Sequence, residues 1–110
     1  MDSILTEIKS EREAQDRKWG PCPPRDYPDG TGGAGREAYR DTVQKICDEA
    51  DAAGQLEWAH ILDEEAAEAL AETDPSKLRA ELLQVAAVCH AWVGAIDARR
   101  EKTAVTVSEF

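Results

Sequence analysis

Apolar residues recur at steps of three and four along most of the chain, the period of a helix with one buried face. Ile4, Leu5 and Ile8 begin the series, and Ser3 is placed to cap a first helix running to about Trp19. Arg36 to about Ala53 predicts a second helix with Tyr39, Val43, Ile46 and Cys47 on one side, stopped by Gly54 in a left-handed cap. A third helix is expected from about Gln55 to Glu72, with Trp58, Leu62, Ala66 and Ala69 as its buried stripe. Asp74 followed by Pro75 reads as an N-cap and first helical position, so the chain turns back there into a fourth helix reaching about Arg100. Leu78, Leu82, Val85, Cys89, Trp92 and Ile96 alternate steps of four and three along it, a seam for packing neighbouring helices. The pattern predicts an all-α helical bundle of about four helices.

Between the first two helices, Gly20 to about Gly35 holds four of the five prolines and five of the seven glycines, and regular structure is not expected there. Residues 1–100 read as one domain in which this loop divides two halves of a bundle. Residues 101–110, with a Thr103 to Val107 alternation too short to assign, read as a flexible tail. The fourth helix is also apolar on other sides, at Leu83, Ala86, Ala87, Val88 and Val93. One small bundle would not cover all of these positions, so a homodimer or homotetramer is expected.

Composition narrows the function classes. With 110 residues, 42% hydrophobic and 33% charged, the chain has the profile of a soluble globular domain. Its net charge of −10 argues against a nucleic-acid surface, which would need clustered Lys and Arg. A small phosphate ligand remains compatible, because a bound metal ion reverses the local field. Cys22, Cys47 and Cys89 have neither disulfide-framework nor zinc-type spacing, which fits a reducing cytoplasm. Met1 to Glu7 lacks a basic segment and a long apolar run, so no signal peptide is expected. The most apolar stretch, Leu82 to Ile96, is too short and too polar to cross a bilayer.

Candidate chemistry concentrates on the two arms of the predicted hairpin, in Glu64-Glu65-Ala66-Ala67-Glu68 and Glu81-Leu82-Leu83-Gln84. In helical projection Glu65 falls within the apolar stripe, and Glu64, Glu68 and Glu72 lie along its edge. Counted outward from the turn, Glu68 meets Glu81 and Glu65 meets Gln84 at similar heights. No Lys or Arg occurs from Trp58 to Ser76, so the carboxylates would repel one another unless a cation bound. Mg²⁺ is the natural candidate, since it takes oxygen ligands and shares its coordination with water and phosphates, and Mn²⁺ is a possible substitute. Gly30 to Gly35 matches GxGxxG, but without a preceding strand it reads as a lid or linker. His60 and His90 read as structural or surface residues, and Trp58 and Trp92 as core anchors. Trp19 reads equally as an aromatic lid or as core.

Glu65-x-x-Glu68, a 12-residue spacer and Glu81-x-x-Gln84 together resemble the signature of the MazG-like all-α nucleoside triphosphate pyrophosphohydrolases. The flanking runs Trp58 to Glu65 and Leu78 to Gln84 are similar as well. So are Glu11-Arg12, Gln15-Asp16, Lys18-Trp19-Gly20 and Pro28 to Gly32 near the N-terminus, and the likeness extends over roughly residues 4 to 100. The resemblance implies that Glu65, Glu68 and Glu81 are Mg²⁺ ligands and that Glu64 binds metal or orients the attacking water. Glu64 and Glu65 then stand at the catalytic step. Gln84 departs from the family pattern, which has Asp; its amide oxygen can still join the metal ligands but brings no charge. Arg12, Lys18 and Arg79 become candidate phosphate contacts, with Trp19 beside the substrate. The activity implied is Mg²⁺-dependent cleavage of a (deoxy)nucleoside triphosphate to the monophosphate and pyrophosphate, in nucleotide-pool housekeeping. The alternatives are a catalytically weak nucleotide- or metal-binding relative, to which Gln84 points, and a helical interaction module.

Overall fold

The computed structural model describes residues 2–27 and 32–108, and of 103–108 the backbone alone. It is all-α, with helices α1 (Ser3–Trp19), α2 (Glu37–Ala52), α3 (Trp58–Ala71) and α4 (Pro75–Ser108), and no strand among the described residues. None of these helices is long and apolar enough to cross a membrane. Helix α4 outruns its expected end near Arg100, because no Gly or Pro follows Gly94 to stop it. The expected tail therefore continues the helix to Ser108. The chain divides into two compact units, Met1–Arg25 with His90–Phe110, and Asp26–Cys89, so one boundary falls inside α4 as well as one near the long loop.

In the first unit, the N-cap of α1 is Asp2, and Ser3 is already helical. The Asp2 carboxylate accepts hydrogen bonds from the backbone N–H groups of Ile4 (2.8 Å) and Leu5 (3.4 Å). An ionised carboxylate here satisfies two orphan amides and complements the helix dipole, which a Ser hydroxyl does less well. Its other oxygen meets His90 Nε2 at 2.7 Å, and that hydrogen bond is the main cause that holds Asp2 below the usual carboxylate value. His90 is thus a tether between the start of α1 and α4, within the same unit. Leu5 and Ile8 stay exposed, and only Ile4 of the expected apolar patch is partly buried.

In the second unit, α2 ends as the sequence predicts. Gly54 takes φ +69°, Gln55 N–H donates to the Ala50 carbonyl (2.8 Å) and Gly54 N–H to that of Asp51 (3.0 Å), a Schellman ending. The following Gln55 to Glu57 stretch is not helical, and α3 starts three residues later than expected. There the imidazole of His60 accepts the Glu57 N–H at Nδ1 (2.9 Å), so this histidine fixes the helix start.

The core of this unit is made of small side chains. Val43 and Cys47 of α2 and Ala67, Ala69 and Ala71 of α3 are buried, whereas Tyr39 and Ile46, expected on the buried side of α2, are exposed. Trp58, expected in the α3 stripe, is also exposed, and Leu62 and Ala66 are only partly buried. Alanines allow α2 and α3 to approach closely, and that closeness brings polar groups at the edges of the contact together.

The α3 to α4 turn is clasped by the long loop. Gly32 N–H donates to the Thr73 carbonyl (3.1 Å), and the Tyr27 hydroxyl donates to that of Leu70 (3.2 Å). The second bond satisfies a carbonyl that the end of α3 leaves unpaired. A Cβ on Gly32 would lie 0.8 Å from the Glu72 carbonyl oxygen, and one on Gly33 2.0 Å from that of Leu70. Backbone therefore lies flush on backbone here. Of the GxGxxG stretch, Gly32 and Gly33 serve this contact; Gly30 and Thr31, like Pro28 and Asp29, lie outside the described residues.

Candidate metal centre

Three carboxylates converge in the second unit. Glu65 and Glu68 come from one face of α3, a helical turn apart, and Glu81 from the second turn of α4; one oxygen of each lies within 4.8 Å of the others. Ala69, bordering that face of α3, adds little bulk there, and the proline-started turn returns α4 alongside it. All three residues are partly buried. Glu65 Oε2 and Glu81 Oε2 are shut off from solvent and have no hydrogen-bond partner.

An unpaired buried carboxylate oxygen is costly, and the electrostatics register that cost. Burial, then the charges of Glu81 and Glu64, raise the Glu65 pKa. Glu68 is raised as well, first by burial and then by Glu65, Glu81 and Glu64, with Arg40 of α2 opposing. A divalent cation would reverse each of these contributions, and an all-oxygen donor set suits Mg²⁺ or Mn²⁺. The residues present therefore fit such an ion.

The other expected site residues fall in different places. Glu64 is partly buried but outside the three-carboxylate group; it lines a cavity shared with Cys47 of α2. The interaction with Glu64, followed by burial and the negative charges of Glu64, Asp48 and Asp51, pushes the Cys47 thiol up to about 11. Cys47, Asp48, Asp51, Leu56, Ile61, Glu64 and Glu65 line a cavity of about 290 Å³, so Glu65 borders both the cage and this space. Glu72, expected along the same acidic edge, instead accepts the Thr73 and Asp74 N–H groups through Oε1 (3.0 and 3.1 Å) and organises the turn. Gln84 follows Glu81 by three residues and is exposed.

Arg79 lines an open apolar groove of about 300 Å³ with Asp26, Pro75, Leu78, Leu82 and Leu83. Arg12, Lys18 and Trp19 belong to the first unit. There Arg12 bonds Asp16 (2.8 Å) and Gln15 (2.9 Å), and Lys18 and Trp19 are exposed at the end of α1. A depression of about 610 Å³ around Ala50, Gln55, Leu56, Glu57 and His60 is open and contains none of the cage residues.

Arg40 was not among the expected site residues. It sits three residues before Val43 and seven before Cys47, on the helix face that is buried, and this spacing was available to find it. Its guanidinium also pairs with Asp41 at 3.2 Å. Comparison with family models, with curated proteins and with solved structures gives no match.

Proposed function

We propose that this chain is a Mg²⁺-dependent nucleotide pyrophosphohydrolase that cleaves free (deoxy)nucleoside triphosphates to monophosphate and pyrophosphate. The observation that carries the reading is the set of Glu65, Glu68 and Glu81: like charges gathered on two helical arms, with two buried oxygens lacking partners, at the spacing of the MazG-like signature. In that reading the three glutamates hold the ion and Glu64 aligns a water for attack on the α-phosphorus. The water oxygen bonds to that phosphorus, its proton passes to the Glu64 carboxylate, and the bond to the bridging oxygen breaks with its electron pair leaving on pyrophosphate. When bound, the ion supplies polarisation of the phosphoryl oxygens and offsets charge developed in the transition state.

Arg40 joins Arg79 as a candidate phosphate contact, both within the unit that holds the three glutamates. The fully formed enzyme is a homodimer or homotetramer in this reading. Exposed Leu82 and Leu83 on α4, and the absence of any large, fully buried side chain among the described residues, support a partner surface. A reducing cytoplasm suits the three free cysteines.

One observation favours a second reading, a relative that binds nucleotide or metal with little turnover: Gln84 is neutral and exposed where the family pattern has a carboxylate. Incubating the protein with a panel of dNTPs and Mg²⁺ while measuring pyrophosphate decides between them. Mg²⁺-dependent release that is lost in Glu68→Ala is expected; nucleotide or Mg²⁺ binding without release would establish the second reading.

A further inference from the structure

The cavity of about 290 Å³ adjoins the three-glutamate cage, because Glu65 belongs to both. Its other lining residues divide by type. Leu56 and Ile61 are apolar, Asp48 and Asp51 of α2 and Glu64 of α3 are carboxylates, and no Lys, Arg or His lines it. Leu56 also borders the open depression of about 610 Å³, which gives the cavity a way out to solvent. The volume stands at the lower end of small-molecule pockets, which run from roughly 300 Å³ upward.

Such a lining repels a phosphate chain, so the part of a nucleotide that enters here is the nucleoside. The order of charges along α2 points the same way. Arg40, near Glu68, precedes Asp48 by eight residues, about 12 Å along the helix at 1.5 Å per residue. Phosphates belong at the Arg40 and cage end, and the base at the Asp48 and Asp51 end. Three residues apart, the two aspartates project from one side of α2. Leu56 and Ile61 offer apolar surface to the faces of a ring, while the carboxylates meet its edge and accept hydrogen bonds without donating any. Guanine is the base whose pairing edge presents two adjacent donors, N1–H and the 2-amino group. Adenine and cytosine set one amino group beside a ring-nitrogen lone pair, and thymine and uracil flank a single N–H with two carbonyls. Each of these four turns a lone pair toward a carboxylate.

We propose that the α2 to α3 cavity is the base subsite, and that Asp48 and Asp51 select guanine nucleotides by accepting hydrogen bonds from N1–H and the 2-amino group. The proposal rests on the pyrophosphohydrolase reading for turnover but not for the binding preference.

The test measures kcat/KM by pyrophosphate release for dGTP, dITP, dATP, dCTP and dTTP with Mg²⁺. In parallel, calorimetry with Mg²⁺ gives Kd for the α,β-methylene analogues of dGTP and dTTP, which the reaction cannot cleave. Guanine should be favoured over thymine by about 10- to 100-fold in both measurements. The nucleotide dITP, which lacks the 2-amino group, should fall about tenfold below dGTP. Asp48→Asn/Asp51→Asn should lose most of the preference, chiefly through weaker use of dGTP; both positions are exposed, and a thermal midpoint verifies that the variant is folded. Preference for any other base, equal use of the panel, or a guanine preference that survives the double substitution would overturn the proposal. If no nucleotide is turned over, the enzyme reading fails while the analogue affinities still decide the base subsite, and binding of neither analogue rejects both.

Discussion

Charges on α1 and charges on the α3 to α4 hairpin are treated in opposite ways. On α1, Arg12 and Asp16 pair one turn apart in the open, and water solvates what the pair does not. Such a pair contributes little, because both partners are nearly as well served by solvent. On the hairpin, Glu65, Glu68 and Glu81 are drawn together, partly buried and left without a matching set of cations. The same kind of residue is decoration in one place and stored electrostatic energy in the other. What separates them is burial combined with the sign of the neighbours, and residue type alone does not show it. Glu72 makes the same point within the hairpin: four residues from Glu68, one oxygen of its carboxylate accepts two turn amides.

The sharpest way to break the comparison is Glu68→Ala, which should reduce Mg²⁺-dependent pyrophosphate release by about 100-fold or more, as loss of a direct ligand exceeds the effect of an outer partner. Retained turnover would place the chemistry elsewhere. Divalent ions should also stabilise the fold. At Mg²⁺ about 100-fold above its dissociation constant the gain is about 2.7 kcal/mol, read as a rise in thermal midpoint that Glu65→Gln/Glu68→Gln lacks.

Without metal, the pH dependence of stability has a definite sign in this region. Folded Glu65 and Glu68 titrate above their ordinary value of 4.5, so between 4.5 and their raised values the folded chain holds more protons than the unfolded one. Their contribution to stability therefore falls as pH rises through that window, and Mg²⁺ should remove the dependence. In the first unit Asp2 runs the other way. Its lowered value means that its contribution is present above the ordinary aspartate value of 3.8 and is lost as pH falls through the folded one. Denaturant melts across pH, with and without Mg²⁺, check both signs, and Asp2→Asn isolates the second.

The cage also depends on the turn that joins its arms. Gly32→Ala should cost about 2 kcal/mol, because its methyl group would meet the Glu72 carbonyl and force the clasp from the turn. Mg²⁺ affinity should fall with it if the clasp holds the arms in register; unchanged affinity would confine the clasp to stability. A smaller effect tests Gln84. Gln84→Asp should tighten Mg²⁺ binding about tenfold if position 84 reaches the ion, by the added charge, and change nothing if it does not. The smallest belongs to α1, where Arg12→Ala should alter stability by less than about 0.5 kcal/mol at ordinary salt. A larger loss there would mean that this charge has work beyond its own helix.

Local signals in the chain located much of this molecule. The four helices follow from apolar spacing, and the hairpin follows from Asp74 and Pro75, because caps and period act within one turn of backbone. The gathering of Glu65, Glu68 and Glu81 was legible too, since two helices joined by a short turn place residues equally distant from it side by side. Less legible was which large apolar residues would be buried. Tyr39, Ile46 and Trp58 satisfy the helical period yet lie exposed, because the close α2 to α3 contact is built on alanines.

The sequence by itself determined the helical class, the hairpin and the acidic residues on its arms. Only the tertiary structure decided how each acid is used: Glu72 in the turn, Glu64 in the cavity that Cys47 also lines, and Arg40 brought near Glu68 from another helix. The reason is physical range. Helix periodicity and capping are set by neighbours four residues away, whereas the energy of a carboxylate depends on burial and on charges delivered by distant parts of the chain.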